Sequence, residues 1–307
     1  AVAHQVLLRV AGERFAEGHN IAHSGIAFYR RGMKEGALLS RADEVLGTAI
    51  NLGSNRYAIG EIDNDQGVSL PEWRNVLDRA IQARSFEIAS FPALDLSGGL
   101  IHEEALLRLK AEDGTLMTAG QFMPPAARFG YLGQLDLISI ELACERVKAG
   151  AVAIAVNISS TSIHDKAFLD ALATVLQPYR AVCNRLWFEV NEAGLDGDYE
   201  RLAPFSRITR QFGARLGIEH FGRQLGRFPA LYELHLDYIK IDGSFIRDLD
   251  KQPVNQQLVK AIVGVASAAG LMIMAEQVHS EAEWATLRAL GVNGATGPLA
   301  TSRSKGA

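Results

Sequence analysis

Residues 216–245 read LGIEHFGRQLGRFPALYELHLDYIKIDGSF and hold two short apolar runs with charged tips. The first run ends on Glu219 and His220, the second on Lys240 and Asp242, with a glycine turn and a short helical pattern between them. A strand, a crossover and a second strand make a parallel pair whose ends open on one face. Outward from there the same unit repeats. The runs FEIASFPALDL, LIHEEALLRL, AVAIAVNIS, RLWFEVNE, RLGIEHF, YIKIDGSF, LMIMAEQV and the weaker NGATGPLA follow one another from residue 86 onward. Segments with i, i+3, i+4 apolar spacing separate most of them, SIHDKAFLDALATVL and NQQLVKAIVGVASAAG among them. Strands alternating with helices in this number predict an α/β fold, a TIM-like (β/α)8 barrel of parallel strands. An open doubly wound sheet is the alternative, but no Gly-x-Gly-x-x-Gly follows the early strands.

Residues 1–65 read differently. AHQVLLRVAGERFAEG has a helical pattern, IAHSGIAFYR reads as a strand, GALLSRADEVLGTAINLG as a helix closed by Gly53, and RYAIGEID as a further strand. Four such elements bury too little surface to stand as an ordinary domain, so they read as the tail of one. Residues 66–85 contain SLPEWRNVLDRAIQA, a linking helix with Ser69 as its N-cap and Pro71 in its first turn.

The 307 residues are 48% hydrophobic and 21% charged, the composition of a globular chain with ample core. A net charge of −4 gives no general attraction to nucleic acid, and none is expected as a partner. Cys144 and Cys183 stand far apart in no metal-binding spacing and read as buried, reduced thiols. With no apolar run long enough to span a bilayer and no signal peptide, the chain reads as soluble and cytoplasmic.

A parallel barrel gathers the carboxyl ends of its strands on one face. Here those ends carry Glu104 and Arg108, Asn157, Glu189 and Glu192, Glu219 and His220, Lys240 and Asp242, and Glu276. Glu104, Asn157, Glu189 and Asp242 are hard oxygen ligands suited to Mg²⁺, Mn²⁺ or Ca²⁺. Arg108 offers a planar fork for a phosphate, and Lys240 a point charge. Such a rim suits a phosphodiester held across one or two divalent ions, which at about 4 Å apart would activate a water and stabilise the leaving oxygen.

These residues stand in a familiar order. EALLRL at 104–109, NIS at 157–159, FEVNE at 188–192, KID at 240–242 with Ser244-Phe245 after it, and AEQV at 275–278 together resemble the EAL domain, over about residues 86–307. That family hydrolyses cyclic di-GMP on a two-metal barrel face. Residues 1–65 resemble the C-terminal part of a GGDEF domain, SGIAFY its later core strand and RADEVLGTAINLGSNRY its last helix and final strand, without the signature hairpin.

The departures fall on the chemistry. Phosphodiesterases of the family carry two adjacent aspartates and then Phe-Gly-Thr-Gly, where this chain has Glu219-His220-Phe221-Gly222-Arg223-Gln224. Glu219 is one methylene longer and can still ligate. His220 offers a nitrogen that suits softer metals, and protonated it repels both cations. The family's Gln-Gly near the end becomes Thr296-Gly297, with Pro298 after it, its early Gln-Pro becomes Phe91-Pro92, and its Ala-Glu becomes Ala126-Ala127.

What the resemblance then implies is a barrel that binds the dinucleotide without cutting it, with no catalytic residue, no metal and no cofactor. The ligand-binding set it implies is Glu104, Leu106, Arg108, Asn157, Glu189, Glu219, His220, Phe221, Arg223, Lys240, Asp242, Glu276, Gly297 and Pro298. The His-Phe-Gly with Arg-Gln, the Thr-Gly-Pro and the GGDEF remnant together are similar to receptors of the LapD type. That resemblance implies a homodimer, a cytoplasmic fragment of an inner-membrane protein, and a periplasmic protease reached through a membrane module outside this chain. The alternative is a weak phosphodiesterase that keeps Mg²⁺. Because a guanidinium neutralises phosphate without an ion, Arg223→Ala is expected to weaken cyclic di-GMP binding in calorimetry. Unchanged affinity would remove Arg223 from the site.

Overall fold

The structure is a computed structural model that describes residues 23–28, 57–60, 70–195, 198–222 and 234–305, with isolated positions between 38 and 49. The helix expected near the start, Ser69, Arg223 and Gln224 lie outside the described residues. The chain forms two compact units, Ala1–Glu87 with Arg108–Leu132, and Ile88–Leu107 with Gly133–Ala307.

In the first unit, β1 (Ser24–Ala27) pairs in parallel with β2 (Tyr57–Gly60). The described positions from 38 to 49 are helical, as the apolar spacing there predicts. Helix α1 (Leu70–Ala83) begins where the linking helix is expected and buries Trp73, Leu77 and Ala80, one stripe at i, i+4, i+7. Further along this unit come the short β5 (Leu116–Thr118) and α2 (Ala119–Phe129). Helix α2 opens on a capping box between Thr118 and Gln121. It packs against α1, where Arg74 lies 5.6 Å from the Phe129 ring centre and Tyr131 donates to Asp78.

The second unit is the barrel. Its strands are β3 (Phe86–Asp95), β4 (Leu100–Lys110), β6 (Ile154–Ile158), β7 (Leu186–Asn191), β8 (Arg215–Phe221), β9 (Tyr238–Ile241), β10 (Met272–Ala275) and β11 (Gly294–Ala295). They follow in the order β3-β11-β10-β9-β8-β7-β6-β4, and a β3–β4 pairing closes the circle. The expected eight-stranded barrel is therefore present, with one correction to the expectation of an all-parallel sheet. β3 runs antiparallel to β11. The reason is local: only Leu96–Gly99 separates β3 from β4, and Asp95 accepts from Ser97 N at 2.7 Å and Gly99 N at 3.0 Å. A turn that short cannot carry a crossover, so the first two strands form a hairpin.

Among the described residues, the helices between and after the later strands are α3 (Leu132–Lys148), α4 (Lys166–Leu176), α5 (Ala203–Phe212), α6 (Gly243–Ile246), α7 (Pro253–Ala268), α8 (Glu281–Ala289) and α9 (Pro298–Lys305). Sequence signals fix several ends. Asp165 caps α4 by accepting from Ala167 N, and Ser280 with Glu283 forms the capping box of α8. Alternation along each strand sorts the side chains. Ile154, Val156, Phe188, Val190, Ile218, Ile239 and Ile241 join the core under the helices. Ala93, Ala155, Trp187, Tyr238 and Met274 form a second cluster that fills the lumen. Cys144 and Cys183 are buried free thiols, and burial pushes Cys144 up to about 12. Among the described residues, no helix is long and apolar enough to cross a membrane.

Gly217 shows how tightly the lumen is filled: a Cβ there would sit 2.4 Å from Cζ of Tyr238. Gly217→Ala must displace a fully buried ring, so it is expected to lower stability by about 1–3 kcal/mol. A denaturant midpoint equal to that of the parent would contradict this packing.

Candidate functional site

The site is built where β8 breaks its regular pleat. Gly217 and Ile218 pair with Tyr238 and Ile239, but the next pairing is Phe221 with Ile241. Three steps on β8 thus match two on β9, a bulge, and His220 absorbs it with a φ of +54°. In a regular strand Glu219 and His220 would point to opposite sides. The bulge brings both to the barrel mouth and turns Phe221 away, its ring 1% exposed in the core. The Phe221 carbonyl accepts from Asp242 N at 3.0 Å.

Two charge groups result. The first is centred on Lys240, whose ammonium donates to Glu104 and, at 2.9 Å, to Glu189 Oε2. Tyr238 donates to the other Glu189 oxygen at 3.0 Å. Burial works against the Lys240 charge, but Glu104 and Glu189 outweigh it and hold its pKa well above the ordinary value. Burial pushes Glu189 up, Lys240 opposes that rise, and the neighbouring Glu104 adds to it. Beneath them lies His102, fully buried, its Nε2 3.9 Å from Glu189 Oε1 and its ring centre 4.5 Å from that of Trp187. Burial and the neighbouring Lys240 keep that ring neutral, well below the usual histidine range.

The second group is centred on His220. Its Nδ1 lies 3.1 Å from Asp242 Oδ2 and 2.7 Å from Glu276 Oε2, and its backbone N–H donates to Glu276 Oε1 at 2.9 Å. One ring N–H cannot aim at both carboxylates, and Glu276 Oε2 is left buried without a well-directed donor. Asp242 also caps α6 through Ser244 N at 2.8 Å. Burial opposes a charge on His220, but the bonds to Asp242 and Glu276 prevail and raise it to about 11. The ring is an imidazolium. Glu219, part-buried beside it, is pushed by burial up to about 7.

Glu104, on β4, pairs with Ala155 of β6, and Asn157 pairs with Glu189 of β7 and is exposed. Leu106 is half-buried on the same strand face as Glu104. Arg108 lies in the first unit, where β4 runs on to pair it with Thr118 of β5. Gly297 takes a φ of +123° and leaves no room for a Cβ, which would fall 2.5 Å from Val278 N, and Pro298 then opens α9. Glu192, just past the end of β7, is fully buried: it accepts from Tyr199 OH at 2.8 Å and Gly222 N at 3.2 Å and so clamps the turn after β8. His102 and Tyr238 were not expected here. Alternation from Glu104 and Lys240 was the signal that could have found them.

Among the described residues, two groups each bring their ligand atoms within 4.8 Å of one another: His102 with Glu104 and Glu189, and Glu219 with His220 and Glu276. The EAL domain model matches residues 74–302. The chain belongs to the EAL domain family. It is 30% identical over 263 residues to the cyclic di-GMP phosphodiesterase PdeR of Escherichia coli (strain K12), a match covering 84% of this chain and 40% of that protein. The FimX EAL domain from Pseudomonas aeruginosa bound to c-di-GMP is similar at a TM-score of 0.67 and 27% identity, over 73% of this chain and 93% of that one. The S helix-GGDEF-EAL structure of Vibrio cholerae LapD, bound to c-di-GMP, gives a TM-score of 0.83 over 97% of this chain and 72% of that one. At 23% identity the latter shows a shared fold. The chain spans less than half the length of the curated relatives it matches.

Within this EAL barrel the charge on His220 is measurable. Its folded-state pKa of about 11 lies above the ordinary 6.5, so its pairing stabilises the fold fully below pH 6.5 and is lost as pH rises through about 11. Proton NMR is expected to show no His220 titration between roughly pH 6 and 9. Asp242→Asn should bring the transition down toward neutrality. A parent midpoint near 6.5 would show that the ion pairs do not form.

Proposed function

We propose that the barrel mouth binds cyclic di-GMP and does not hydrolyse it, so that the chain acts as a receptor. The carrying observation is the imidazolium of His220 between Asp242 and Glu276. With the Lys240 ammonium on Glu104 and Glu189, each carboxylate group already contains a cation of the chain itself. Two hard divalent ions need those oxygens, and they would be repelled by the imidazolium and the ammonium. The donor set therefore fits a two-ion centre poorly. Binding is the better use of the same groups. Arg108 suits a phosphate, Glu276 a guanine edge, and Glu104, Leu106, Asn157, Gly297 and Pro298 frame the dinucleotide, while Arg223 adds a second guanidinium. The c-di-GMP held by the similar FimX and LapD structures supports this reading.

The finer reading follows the LapD likeness. Residues 1–65 are the end of a GGDEF domain, residues 66–85 a linking helix and residues 86–307 the EAL domain. The chain is a cytoplasmic fragment of an inner-membrane homodimer, in which occupancy rearranges the domains and controls a periplasmic protease. A ligand drives such a change only through unequal affinity for the two arrangements. A second reading, a weak metal-dependent phosphodiesterase, is favoured by the 30% identity to PdeR.

Calorimetry with cyclic di-GMP is expected to give the same affinity in chelator as in Mg²⁺ or Mn²⁺, with no linear dinucleotide formed. Steady turnover, or binding that vanishes in chelator, would sink the receptor reading. The double replacement Glu219→Asp with His220→Asp is expected to make ligand affinity metal-dependent.

A further inference from the structure

We infer that Asp136, on the outer helix α3, is a positioning residue of the barrel mouth: its carboxylate fixes the chain just after β6 and through it Asn157. This rests on the dinucleotide reading of the mouth. Asp136 is 3% exposed and stands on a helix face otherwise made of Leu135, Ile140, Ala143 and Cys144. A carboxylate on such a face is costly unless donors surround it. Three do. Oδ2 accepts from Ser159 N at 3.0 Å and from Ser162 Oγ at 2.6 Å, and Oδ1 accepts from Ser159 Oγ at 3.2 Å.

All three donors belong to residues 159–162, which follow Asn157 after one intervening residue. That residue, Ile158, is itself buried and pairs with Val190 at the last rung of the β6–β7 ladder. Beyond this rung the sheet no longer holds the chain, so its course depends on what grips Ser159. The opposite side is closed as well. A Cβ on Gly194 would lie 2.4 Å from Cβ of Ser160 and 2.5 Å from its Oγ. The segment is thus wedged between α3 and the turn after β7. Asn157 is exposed at the mouth and in register with Glu189, so its amide is aimed by a strand end gripped from outside the barrel.

A double-mutant cycle tests this. Cyclic di-GMP is titrated calorimetrically into the parent, Asp136→Ala, Asn157→Ala and the double variant, with thermal midpoints recorded. Asp136→Ala is expected to weaken binding about tenfold, within the range of coupled neighbours, and to add no further loss once Asn157 is gone. Additive losses, or a lowered thermal midpoint with unchanged affinity, would overturn the proposal. Should Asp136→Ala fail to fold, Asp136→Asn and Gly194→Ala replace it, the latter pushing Ser160 from the other side. Both are expected to weaken binding, and unchanged affinity in both would refute the positioning role. If the parent itself binds no cyclic di-GMP, the receptor reading has failed on its own. The Asn157 side-chain amide resonance of ligand-free Asp136→Asn then decides: displaced from its parent position it supports the positioning role, unmoved it excludes it.

Discussion

One imidazole nitrogen faces two carboxylates at the mouth of this barrel, and the rest of the site is arranged around that fact. His220 could not remain charged while part-buried without Asp242 and Glu276, and neither acid could stay so buried without a cation nearby. Lys240 solves the same problem for Glu104 and Glu189 one strand across. A carboxylate-rich mouth thus carries its own counterions.

The barrel makes this possible through an irregularity. A strictly alternating β8 would send His220 outward among the apolar groups under the helices. The extra residue and the left-handed backbone at His220 turn it inward, and the buried Phe221 ring behind it locks the deviation in place. Glu192 then fixes the following turn through Gly222 N. Strain of this kind persists where surrounding contacts over-determine it, and here they do so on both sides of the bulge.

Much of this was legible in the sequence. Apolar runs ending in charged residues marked the eight strands and placed Asn157, Glu189, Lys240, Asp242 and Glu276 toward strand ends, because alternation and strand polarity are local properties, whereas Glu104, also expected at an end, lies mid-strand in β4. The antiparallel start was missed although Leu96–Gly99, a short glycine-containing break between two apolar runs, is the ordinary mark of a hairpin. The inward turn of His220 and the outward turn of Phe221 were not legible. A bulge depends on how two strands slip against each other, and no residue type in β8 announces it. The same holds for Asp136, whose partners lie 23 and 26 positions further along the chain.

The way the circle closes carries a further implication. β3 meets β4 through a turn of a few residues, yet its other neighbour is the two-residue β11, near the far end of the chain. The cylinder is therefore joined along one early seam, β3 with β4, and one late seam of two residue pairs, β3 with β11. During synthesis, every strand from β4 to β10 can assemble as a curved sheet with β3 at one margin, and that margin stays unpaired until Gly294 and Ala295 emerge. A chain stopped before residue 294 would keep two raw strand edges, an invitation to aggregate rather than a smaller functional barrel.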